Sequence, residues 1–98
     1  MKTIAQRVQA GIRFLDKVYG KKWWKKIRLR TLNLAKADSC ILGQTDGNYE
    51  IHWNKLGLYQ TWQREQLGFT IWPHDSGQME LLTSAWKKAL KGKVGRNA

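Results

Sequence analysis

A single cysteine, Cys40, occurs in the 98 residues, which excludes an internal disulfide framework and the multi-cysteine zinc patterns. Acids are scarce as well. Seven Asp and Glu stand against 18 Lys and Arg, a formal charge of +11, so an acidic mimic of nucleic acid is excluded and a polyanionic partner is expected. With these acids, two histidines and one cysteine, few groups can exchange protons or attack a substrate near neutral pH, and the chain is not expected to be an enzyme. The nine glycines are scattered, and none forms the strand-to-helix turn that cradles phosphates. No apolar run approaches the ~20 residues of a membrane span, and the N-terminus has no continuous apolar stretch like that of a signal peptide. The expectation is a soluble, cytoplasmic protein.

What is present suffices for a core. Hydrophobic residues make up 42%, six of them tryptophan, and a large aromatic buries roughly 150–250 Å². Disordered chains combine high charge with few aromatics, which is not the pattern here. Dividing the chain would leave halves near the roughly 40-residue limit for an unaided core. Residues 1–92 are therefore expected to form one domain, with 93–98 as a flexible basic tail.

At 3.6 residues per turn, Ile4, Val8, Gly11, Ile12, Leu15, Val18 and Tyr19 share one arc, which predicts an amphipathic helix over 3–19. Thr3 and Gln6 fit a capping box, and Gly20 suits the closing position. Arg13, Asp16 and Lys17 should face water. Residues 21–36 hold Trp23, Trp24 and seven basic residues without an acid: Lys21, Lys22, Lys25, Lys26, Arg28, Arg30 and Lys36. Ile27, Leu29, Leu32 and Leu34 alternate with a period near two, as in an extended segment, whereas Trp23 and Ile27 suit a helical turn. Both readings stand. Apolar groups then end in glycine at 39–42, 49–56 and 61–67, as short glycine-closed helices would, with Asp38 and Asn48 as caps for the first two. Tyr49, Trp53 and Leu56 share one face of the second. Asp46-Gly47 is read as a loop rather than a hairpin turn, and 69–72 as extended before Pro73. Over 78–91, Met79, Leu82, Ala85, Trp86, Ala89 and Leu90 fall on one helical face. Asp75 and Gln78 offer a cap, Lys87, Lys88 and Lys91 point outward, and Gly92 closes the helix.

Read in order, Gly11, Leu15-Asp16, Tyr19-Gly20, Trp23 or Trp24, Ile27, Leu32-Asn33-Leu34, Cys40-Ile41-Leu42-Gly43-Gln44, Leu56-Gly57-Leu58, Gly68-Phe69 and Trp86 give the chain a likeness to a known group. It resembles small uncharacterised proteins of bacteriophages and actinobacteria, whose signature is Leu-Asp-Leu, a short gap, then Cys-Val/Ile-Leu-Gly-Gln. Asn33 stands where that pattern has Asp, Thr45-Asp46-Gly47 where an aromatic and glycine are usual, and Arg28 and Arg30 where acids are common. The resemblance implies a viral or mobile-element origin and a bacterial host cytoplasm, with no activity to transfer.

Candidate chemistry is thin. Cys40 near His52 or His74 would make a nucleophile, but beside Ile41 and Leu42 it reads as a small buried hydrophobe. Asp46, Glu50 and His52 match no spacing that surrounds one ion, and His74-Asp75 lacks the further ligands of a phosphohydrolase site. No metal or cofactor is expected. The basic material is the strongest signal. Cations flank Trp23 and Trp24, so phosphates could be neutralised while a base stacks on an exposed ring. Against this, both rings can pack inward beneath lysine stems. A charge of +11 exceeds the magnitude of about 2–8 that solubility asks for. The apolar stripe of the last helix is needed for the core, which argues against membrane binding.

The fold expected is a mainly α, compact small domain in which two longer terminal helices pack together. Short central helices and an extended segment supply Trp53, Leu56, Trp62, Phe69 and Trp72 to the core. An α+β form pairing 27–34 with 69–72 is the alternative. The function expected is non-enzymatic binding of DNA or RNA through Lys21, Lys22, Trp23, Trp24, Lys25, Lys26, Arg28, Arg30, Lys87, Lys88 and Lys91, with Lys93 and Arg96 extending the patch. The alternatives are a phage-encoded inhibitor that occupies an acidic host protein surface, as an anti-defence factor would, and a small virion or scaffold component.

Overall fold

Thr3 opens the first helix, as its hydroxyl predicts: Thr3 Oγ1 accepts from the Gln6 N–H at 3.1 Å while Gln6 Oε1 accepts from the Thr3 N–H at 2.8 Å. Two of the N–H groups that a helix start leaves open are thereby satisfied. In the computed structural model, which describes residues 3–36, 39–46, 57–58, 60–71 and 76–95, this helix, α1, spans Ile4–Tyr19 and Gly20 closes it at φ +87°. A 3₁₀ helix, Trp23–Lys26, follows, then α2, Ile41–Asp46, α3, Thr61–Gln66, and α4, Ser76–Gly95. Among the described residues there is no strand. The chain is a compact, mainly helical domain with long terminal helices and short ones between, not the α+β alternative. Its radius of gyration, 12.3 Å, is near the ~13 Å of a compact 100-residue domain.

α1 lies against α4, α3 and the 3₁₀ helix, which also touches α2 and α4. The core forms where these meet. Leu15, Ile41, Leu82, Trp86 and Leu90 are sealed from solvent, with Val8, Ile12, Trp23, Leu32 and Phe69 beside them. Phe69 stacks on Trp86 at 6.0 Å, Trp23 meets Trp86 edge-on at 6.5 Å, and Phe14 meets Phe69 edge-on at 6.1 Å. Pairs of this kind contribute about 0.5–1.5 kcal/mol beyond the area they bury. The Trp86 indole N–H donates to the Gly68 carbonyl at 2.6 Å, so its one polar group is satisfied in the interior. α1 approaches this point closely because residue 11 has no side chain. A Cβ there would stand 2.1 Å from the Leu67 carbonyl oxygen and 2.9 Å from two Trp86 ring atoms.

Several expectations need correction. Gly43 and Gly92 lie inside α2 and α4 instead of closing them. α4 begins two residues before 78 and continues through Gly95, four residues past the expected end at 91. A helical glycine costs only about 1 kcal/mol against alanine, too little to stop a helix whose other face is packed. Gly68, at φ +71°, does turn the chain after α3. Trp62, expected in the core, is 60% exposed, and Val18 is 43% exposed. Asp16, expected to be wet, is half-buried because it accepts the Trp23 indole N–H at 2.8 Å. The expectations at Asp38, at 47–56 (including Asn48, Glu50, His52 and Trp53), at 72–75 (including His74) and at 96–98 lie outside the described residues.

Candidate cationic face

Residues 21–36 wind across the molecule as a chain of tight turns, neither strand nor long helix. The Thr31 N–H donates to the Arg28 carbonyl and the Leu32 N–H to the Leu29 carbonyl, both at 3.3 Å. The turns are anchored on α4, where the Leu34 N–H donates to Thr83 Oγ1 at 3.0 Å. The Asn33 side chain accepts from the Ala35 N–H at 2.9 Å, an Asx turn of the kind this residue favours. Trp23, Trp24, Ile27, Leu32 and Leu34 are buried, and the lysines and arginines between them face outward. The near-alternating pattern therefore reports in-and-out burial on a turning chain, not sheet pairing.

The tryptophans flanked by lysines are not a stacking platform. Trp23 is 3% and Trp24 9% exposed. Trp23 spends its N–H on Asp16, and the Lys25 ammonium lies 6.0 Å from the Trp24 ring centre, a cation–π distance. The inward reading of the pair is the one the structure displays. Cys40 is likewise buried, as a structural thiol would be.

The cations divide into groups. Arg30, from the turns, meets Lys87, Lys88 and Lys91 of α4 around one open groove of about 530 Å³, with Leu29 on its wall. Lys26 and Arg28 line a second groove of about 400 Å³ together with Thr31, Ser39 and Gln44. Lys21, Lys22 and Lys25 are exposed but line neither groove. Arg13 and Lys17 are exposed on α1 and Lys36 in the loop, so the positive charge is spread over several elements, with four cations meeting at one groove and two at the other. Among the described residues no acid lines either groove. Uncompensated cations around a concave surface repel one another, and an anion entering the groove relieves that repulsion while taking up several N–H donors.

Sequence reasoning missed Thr31, which shares the turns with Lys26 and Arg28, and Ser39 and Gln44, which reach them because α2 packs against the 3₁₀ helix and Gln44 bonds the Arg28 backbone. It also missed Trp62 as a surface residue, although a signal exists: one turn further along, positions 65 and 66 are Glu65 and Gln66, so the ring has no apolar helical neighbour on that side. Among the described residues no His, Cys, Asp or Glu group is arranged to hold a metal ion, and no helix is long and apolar enough to cross a membrane. No family model, curated protein or solved structure matches the chain.

Proposed function

We propose that this protein is a non-enzymatic module that binds nucleic acid through its phosphate backbone, with little preference for sequence. The observation that carries the reading is the convergence of Arg30, Lys87, Lys88 and Lys91 on one groove, with no acid among its described lining residues. Contacts of this kind supply affinity and orientation, while sequence is read at base edges. The groove is open and its cations sit on mobile stems, which suits a regular polyanion better than one shaped ligand. The buried Trp23 and Trp24 leave the work to charge.

The test is a fluorescence-anisotropy titration of a labelled DNA duplex across a range of salt concentrations. Affinity should fall linearly on a log–log plot, by roughly 0.9 per phosphate neutralised. The double variant Lys87→Ala/Lys91→Ala should reduce the slope by about two. Absence of binding at low salt, or an affinity indifferent to salt, would overturn the reading.

Trp62, at 60% exposure, favours a second reading: a phage-encoded inhibitor that docks on an acidic host protein, since tryptophan and arginine dominate protein interfaces. Pull-down from nuclease-treated bacterial lysate separates the two. A protein partner that survives the nuclease and is lost with Trp62→Ala supports inhibition.

A further inference from the structure

The second groove is braced by a side chain from its own lining. The Gln44 side chain reaches across it: Nε2 donates to the Ser39 carbonyl at 3.0 Å and to the Arg28 carbonyl at 3.3 Å, while Oε1 accepts from the Arg28 N–H. One amide thus ties the turn carrying Lys26, Arg28 and Thr31 to the segment leading into α2. Both walls are fixed before any ligand arrives, which lowers the ordering cost of binding. The Lys26 and Arg28 side chains are exposed, and both line the groove. The Thr31 hydroxyl donates to the Arg28 carbonyl at 3.4 Å, longer than the usual ~2.5–3.0 Å of such a bond, so it can be exchanged for a better acceptor.

We infer that this groove binds a phosphomonoester dianion, the terminal phosphate of a nucleotide or of a nucleic-acid strand. A monoester carries about −1.5 to −2 charge and three acceptor oxygens, which two cations and a hydroxyl donor can match. An internal phosphodiester, with one charge, leaves one cation unanswered. Arginine's planar fork suits phosphate oxygens geometrically, and lysine adds a point charge. The groove, about 400 Å³, lies within the ~300–1,000 Å³ of small-molecule sites, enough for the phosphate with part of its nucleoside. Gln44 is a positioning residue. The inference rests on the nucleic-acid reading only for the strand as a source of phosphate, not for the site itself.

Inorganic phosphate and adenosine 5′-monophosphate, titrated into the ¹⁵N-labelled protein, should shift the backbone amide signals of Thr31, Ser39 and Gln44. Arg28→Ala and Lys26→Ala should each weaken binding at least tenfold. Gln44→Ala should weaken it too while leaving the salt slope on duplex DNA unchanged; a general loss of structure would move both. A 5′-phosphorylated oligonucleotide that binds several-fold tighter than its 5′-hydroxyl twin assigns the strand end as the source. Equal affinities, with the phosphate and nucleotide shifts intact, assign the free nucleotide. No shift with phosphate or nucleotide overturns the inference even if duplex binding persists. Shifts without any duplex binding keep this site and overturn the reading built on the Arg30 groove.

Discussion

Two short helical turns each carry tryptophan among polar residues, and the molecule treats them in opposite ways. In Trp23–Lys26 both rings are buried between lysines, one of them bonded to Asp16. In Thr61–Gln66 no residue is buried and Trp62 is largely exposed. The first turn is clamped between α1, α2 and α4, whereas among the described elements α3 has α1 as its neighbour. What decides the fate of a ring is therefore the number of elements that converge on its turn and the presence of an acceptor for its N–H. The charge of the flanking residues does not decide it, since lysine stems lie readily over apolar surface. Basic flanks are a poor guide to where a base could stack.

The largest effect is expected at the buried extreme. Trp86→Ala removes the ring that Trp23 and Phe69 pack against and should cost about 3–5 kcal/mol in urea denaturation. A cost below about 1 kcal/mol would show that the core does not depend on this ring. Next comes the glycine that admits it. Gly11→Ala places a methyl against the Leu67 carbonyl and the Trp86 ring and should destabilise by about 1–3 kcal/mol or more. Gly92→Ala, with nothing within 4 Å of the new methyl, should stabilise by roughly 0.5–1 kcal/mol. The same sign at both positions would contradict the packing described. The smallest effect belongs to the exposed ring: Trp62→Ala should change stability by no more than about 0.5 kcal/mol. Iodide quenching sharpens the contrast. Trp62→Phe should lower the quenchable emission, and Trp23→Phe and Trp24→Phe should not.

Much of the fold was legible where one local signal had no rival. Thr3, Gln6 and Gly20 bound α1 as their chemistry predicts, and the apolar face of α4 from Met79 to Leu90 is the one that is buried. Legibility fell where glycine was read as a stop. At Gly43 and Gly92 the helix runs on, because tertiary packing outweighs a propensity difference of about 1 kcal/mol. Between 27 and 34 periodicity was misleading, since a chain of turns and a half-buried strand share the same alternation. Of the candidate site, the cations were legible from charge alone. Their division between two grooves was not: Arg30 meets Lys87, Lys88 and Lys91 across more than fifty positions of sequence, with Leu34 anchored on Thr83, while Lys26 and Arg28 line a separate groove. Gln44 was invisible as a site residue because its amide acts on backbone groups, which no side-chain pattern records.

Around Trp86, two glycines do what side chains do elsewhere. Gly11 gives room to the indole and to the Leu67 carbonyl, while Gly68 accepts the indole N–H and lies so near α1 that a Cβ would come within 3.2 Å of the backbone at Arg7 and Val8. Positions in such close contact do not contribute additively. Once the indole is lost, the acceptor at 68 has nothing left to hold, but the Leu67 carbonyl, 2.1 Å from a Cβ at 11, still keeps a side chain out of that position. In relatives that have drifted apart, the indole at 86 and the turn at 68 should therefore change together, while 11 should stay glycine whether or not the indole is kept.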